Sequence, residues 1–231
     1  MIGSLRQRIG GLEVHLSVGF GIRRAMALLR EERAFIRAVR RMPKPVPWDW
    51  ARPRLLPLLC GPSIDNGADA PLRAVVGPGV SVVFGIDLGA GFPLVDLPVM
   101  ARWECSADQV RTTALHNLAS RAAKLDRAIV RSGSLSGHPI RVVDGRPAWA
   151  SSLVLVPDEL RRLIGAEDQI IATPSRGVLL SLPMEMPPRV AADIVTDFES
   201  RAPLPLLLDA FYFRDGSFGW TGTEEWDEEA V

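Results

Sequence analysis

The residues best suited to chemistry in this chain lie at Phe84-Gly85-Ile86-Asp87-Leu88-Gly89-Ala90-Gly91. A strand that ends in Asp-Leu-Gly-x-Gly can bring backbone N–H groups close to a phosphate, with Asp87 as an acid, base or metal group. The same residues also fit a strand that simply turns at glycine, and short glycine motifs favour that simpler reading. Guanidinium groups at Arg102 and Arg176 are candidate anion clamps. Trp103 and His116 complete the set of binding candidates, and Trp103 also suits a core anchor between strand and helix. These residues fall near predicted turns and junctions, where rigid strands present binding groups.

A catalytic assignment finds less support. His15, His116 and His138 are scattered, and Asp87, Asp96, Glu104 and Asp144 are too dispersed to nominate an acid–base pair. Gly133-Ser134-Leu135-Ser136-Gly137 places leucine where a hydrolase elbow needs serine. Cys60 and Cys105 have neither CxxC spacing nor histidines at zinc-ligand intervals, so no metal or cofactor is expected and both read as buried thiols.

Composition bounds the setting of these groups. With 47% hydrophobic and 23% charged residues among 231, the chain can bury a sizeable core and wholesale disorder is not expected. No apolar run reaches the roughly 18 residues of a membrane span, and no secretory signal is visible, so a cytoplasmic protein is expected. Net charge is zero but uneven: residues 1–44 hold ten Arg or Lys against three Glu, while Glu224, Glu225, Asp227, Glu228 and Glu229 crowd the tail. That distribution gives no strong nucleic-acid signal, which would need a basic core.

The elements that must position the candidates follow from periodicity. Glycines weaken any helix in residues 1–21, read as a flexible segment, and Met26 is an alternative to Met1 as translation start. Ile22, Met26, Leu29, Ile36 and Val39 then mark an amphipathic basic helix that stops before Pro43, Pro45 and Pro47. Residues 54–60 read as a strand that Pro57 confines to an edge or bulge, followed by a loop over 61–71. Strands are predicted at 80–87 and, more weakly, at 93–96. Ser106 and Gln109 stand at capping-box spacing, opening a helix with Val110, Ala114, Leu118, Ala122, Leu125 and Ile129 as its stripe and Gly133 as its end. Residues 132–137 read as a flexible connector, 148–156 as a central strand and 158–164 as a short helix closed by Gly165. Hairpins are expected at 169–182 and 206–220, flanking a helix after Pro187 and Pro188. The whole predicts a single α+β domain over 22–220 with a mixed, largely antiparallel sheet, helices mainly on one face, and an acidic tail at 221–231.

Two resemblances bear on function. Asp87-Leu88-Gly89-Ala90-Gly91 resembles the first phosphate loop of actin-like ATPases and sugar kinases, but that fold needs a longer, duplicated chain with a second phosphate loop. More extensively, Ile86 to Gly89, Leu94 to Asp96, Arg102 to Glu104, Ala114 to Leu118, Ala150 to Leu153, Ile171 to Leu180 and Phe213 to Gly216 resemble, in the same order, the YtpQ-like family of bacterial proteins. The resemblance covers about residues 50 to 220 and implies a cytoplasmic α+β protein with no catalytic residues to carry across. The leading expectation is a non-enzymatic binding or interaction domain, with a protein or a small anionic ligand as partner. An enzyme acting on an anionic metabolite is the first alternative, and membrane-surface association through residues 22–41 the second.

Overall fold

The computed structural model describes residues 5–9, 12–16, 21–61, 70–77, 79–135, 137–144, 147–202, 205–206, 208, 210–215 and 217–220. The acidic tail at 221–231, most of the 61–71 loop and Gly216 of the last hairpin turn lie outside these residues. Within residues 1–21, assigned from sequence to a flexible segment, β1 (Leu5–Ile9) pairs antiparallel with β2 (Leu12–Leu16). Helix α1 (Gly21–Arg40) stops ahead of the three prolines that deny it further N–H donors. Near its end Phe35 presses on Gly91, where an added Cβ would lie 2.5 Å from the ring. A short helix α2 (Trp48–Ala51) and one 3-10 turn then lead into the first sheet.

That sheet has three antiparallel strands in the order β3 (Leu55–Cys60), β5 (Val80–Ile86), β4 (Arg73–Gly77). Every residue of β3 and β5 is buried, which their near-continuous apolar sequences demand. Pro57 lacks an N–H to donate, and β3 accordingly takes an edge. Leu58 pairs with Val83, and Val83 with Arg73; one step along, Cys60 pairs with Ser81. Directly opposed residues share a face and alternate residues return to it, so Arg73, Ser81 and Cys60 emerge on one side of this sheet.

Residues 93–96 do not form the expected strand. Leu94 and Asp96 make isolated bridges to Gly85 and Pro71, and the Asp96 carboxylate then accepts the Val99 N–H at 2.6 Å. That cap, with Pro98 just inside, turns the chain into α3 (Leu97–Arg102) before a ladder can extend.

Helix α4 (Ala107–Ala122) begins as predicted, with Ser106 Oγ accepting the Gln109 N–H at 3.1 Å. Its stripe of Val110, Ala114, Leu118 and Ala122 is fully buried, and the helix lies against β3. It ends earlier than expected, because Asp126 accepts the Ala128 N–H at 2.8 Å and opens a 3-10 turn at Arg127–Ile129. Leu125 and Ile129 still pack on the core from outside the helix. The predicted connector at 132–137 is instead half of a hairpin, β6 (Val130–Leu135) with β7 (His138–Asp144), turning at Gly137 with φ +81°. β6 is an exposed edge strand, so it needs no apolar alternation and left none in the sequence.

The predicted strand at 148–156 is a buried 3-10 helix, Ala150–Leu155. A short apolar run does not by itself distinguish strand from helix. Helix α5 (Pro157–Ile164) ends at Gly165, whose φ of +106° suits only glycine. The hairpin β8 (Gln169–Ser175) and β9 (Val178–Pro183), helix α6 (Pro188–Arg201), and the hairpin β10 (Phe211–Arg214) and β11 (Ser217–Trp220) follow.

The second sheet is antiparallel in the order β11-β10-β8-β9-β7-β6. One face, with Val143, Ile171, Leu179 and Phe211, joins the main core together with α4, α5 and the first sheet. The other, with Val142, Ile170, Ala172 and Leu180, is covered by Ala191 and Ile194 of α6. This is an α+β fold. No helix among the described residues is long and apolar enough to cross a membrane.

Candidate functional site

The five residues singled out from sequence occupy different settings. Asp87 follows β5; its carboxylate is bound by the Arg121 guanidinium and accepts the Gly89 N–H at 2.7 Å. Arg102 is exposed at the end of α3, and His116 is exposed on α4. Trp103 is buried, donating from Nε1 to the Val46 carbonyl at 2.8 Å with its ring 5.3 Å from that of Trp48. Among the described residues no hydrogen bond or ion pair joins any of the five to another. Two surface clefts of about 280 and 310 Å³ are lined by other residues, the first around Arg141 and Glu167, the second between Phe84 and Leu115.

Arg176 differs from the other four. It sits in the two-residue turn between β8 and β9, and its carbonyl accepts the Ser151 N–H at 3.1 Å. Its Nε is buried and has no hydrogen-bond partner among the described residues. The same holds for Nε of Arg73, on β4, and for the hydroxyls of Ser151, Ser152 and Thr173. Buried polar groups in folded proteins are nearly always paired, so five such atoms need an explanation.

The elements that carry these groups are neighbours. Ser151 and Ser152 belong to the 3-10 helix that touches β3, β8 and β9. Thr173 lies in the bulged end of β8, beside Pro174, whose carbonyl accepts the Leu206 N–H at 3.1 Å. The Leu206 carbonyl in turn closes on Gly61, where an added Cβ would lie 2.8 Å away. Gly61 follows Cys60 at the end of β3, so the ends of β3 and β8 meet through Leu206. Arg73 enters from β4 on the face that carries Cys60.

Electrostatics report the same proximity. Burial pushes the Cys60 thiol above its ordinary value, and the charges of Arg73 and Arg176 oppose that rise. Burial also holds Arg176 below the usual arginine range, with Cys60 acting in the opposite sense. The charges of Arg73 and Arg176 thus both act on the Cys60 thiol, and the elements that carry Ser151, Ser152 and Thr173 adjoin the end of β3. Such a set can hold an anion.

From sequence, only Arg176 of this cluster stood out. Arg73 shares a sheet face with Cys60 across β5, a relation set by sheet register and invisible locally. Ser151-Ser152 inside the apolar run 148–156, and Thr173 inside a buried strand, were the available signals: hydroxyls at positions meant for a core.

The architecture defines an α+β protein of two antiparallel sheets with a polar cluster where they meet. No family model, curated protein or solved structure matches the chain.

Proposed function

We propose that this chain is a binding domain whose ligand is a small anion held by Arg73 and Arg176. The observation that carries this reading is the pair of buried Nε atoms without acceptors among the described residues. Both side chains are half-buried; a buried N–H without an acceptor is costly, and an anion that accepted from both Nε groups would be bound strongly for the same reason. Binding is favoured over covalent catalysis because Cys60, the nearest nucleophile, is buried and its thiol is held protonated. The ordered sequence blocks support placing the chain with the YtpQ-like family and in the cytoplasm.

Thermal unfolding at constant ionic strength tests this. Anions that bind the native state raise the melting temperature by mass action, by about 5 °C or more at 100 times Kd for a chain of this size. Arg176→Met should remove the rise. A wild-type protein indifferent to every anion tried would refute the proposal.

A second reading rests on α1, where Leu29 and Ile36 are 37% and 42% exposed among arginines. Such a surface suits the headgroup region of an anionic membrane. Cosedimentation with phosphatidylserine vesicles should then be lost in Leu29→Ser/Ile36→Ser; equal sedimentation of the two proteins would count against it.

A further inference from the structure

We infer that the anion is a tetrahedral dianion, the phosphate group of a phosphomonoester or free inorganic phosphate; this deepens the anion-binding reading and rests on it. The charge count points there first. Arg73 and Arg176 bring two positive charges to the Cys60 region, and among the described residues neither forms an ion pair. A carboxylate would neutralise one of them. A phosphate dianion neutralises both.

The donor count points the same way. Beyond the guanidinium groups, the hydroxyls of Ser151, Ser152 and Thr173 are buried and unpartnered among the described residues. All five groups are donors in want of an acceptor, or can serve as such. A planar carboxylate has two oxygens to share among them. The three terminal oxygens of a phosphomonoester accept from several directions at once, and guanidinium groups bind them in bidentate fashion.

The position in the fold adds selectivity. Cys60 is 2% exposed, and Ser151, Ser152 and Thr173 are exposed by no more than that. Hydroxyl donors this dry interact strongly with a full negative charge. Gly61, pressed on the Leu206 carbonyl, keeps the backbone at the end of β3 free of a side chain beside the cluster.

Titration calorimetry with the full chain tests the inference, using inorganic phosphate, glycerol 1-phosphate, sulfate and acetate as probes. Phosphate and glycerol phosphate should bind about tenfold or more tightly than acetate, the scale of one charge-assisted hydrogen bond. Glycerol phosphate should tighten as pH rises through its second pKa of about 6, whereas sulfate, a dianion throughout, should not. Tighter binding of the ester than of inorganic phosphate identifies a phosphomonoester; the reverse order identifies the free ion.

Arg73→Met and Arg176→Met should each weaken phosphate binding about tenfold or more. Thr173→Val provides a variant expected to fold: removing an orphan hydroxyl should leave the free protein as stable or more so, yet weaken phosphate severalfold. Acetate binding as tightly as phosphate, or a Thr173→Val protein with undiminished phosphate affinity, overturns the dianion inference and leaves the anion-binding reading standing. Absence of binding by all four probes overturns both.

Discussion

Arg121 on helix α4 donates to the carboxylate of Asp87 at the end of β5, and the other oxygen of that carboxylate accepts the Gly89 N–H. The residue with the most chemically suggestive sequence context is thereby a tie between helix and sheet. Its pairing also shapes the glycine turn, since Asp87 folds back on its own chain two residues on. Arg121→Met should lower stability by about 1 kcal/mol, as expected for a partly exposed ion pair, in a urea titration. Phosphate binding should be unchanged, because the pair lies outside the Arg73 and Arg176 cluster. A loss of phosphate affinity in this variant would relocate the site to the Asp87 turn.

One turn earlier on α4, Asn117 donates from Nδ2 to the carbonyls of Arg52 and Leu55, at 2.7 and 3.0 Å. The side chain stitches the helix to the chain entering β3. Asn117→Ala leaves both carbonyls without this donor and should cost about 1–3 kcal/mol, read as a lower midpoint of chemical denaturation. A neutral substitution would mean that water replaces the amide without penalty.

Trp103 behaves as an anchor. Trp103→Phe retains most of the packing against Trp48 but removes the donor to Val46, and should cost about 1 kcal/mol. Trp103→Ala also empties the ring's volume and should cost about 3–5 kcal/mol. Equal destabilisation by the two would show that the hydrogen bond, rather than the ring, dominates.

Glu199 on α6 supplies a pH-dependent test. Burial raises its carboxyl above the ordinary value of 4.5. A raised folded-state pKa favours the native state below the unfolded value, and that contribution is lost as pH rises through the folded-state value. Glu199→Gln should therefore match the wild type near pH 4 and melt at a higher temperature near pH 7. The same difference at both pH values would contradict the burial argument.

Much of the fold was legible locally. Ser106 and Gln109 announce the start of α4, three prolines announce the end of α1, and Pro57 consigns β3 to an edge. The failures share a cause. β6 is an exposed edge strand without alternation, and Ala150–Leu155 is an apolar run whose helical turn is imposed by its neighbours. The candidate site was only partly legible, through Arg176. Bringing Arg73 onto the sheet face of Cys60 takes two strand pairings, and bringing Ser151 beside Arg176 takes a contact between segments 25 positions apart.

The 3-10 helix at Ala150–Leu155 touches β3 of one sheet, β8 and β9 of the other, and α4. A segment of six residues is thus common property of two sheets that share no ladder. Neither sheet can shed it without exposing the apolar face of the other, so heat should unfold both in one cooperative transition. An anion seated beside Ser151 and Ser152 would then act as a fastener for the entire molecule, and its release would be felt as far away as the outer strands.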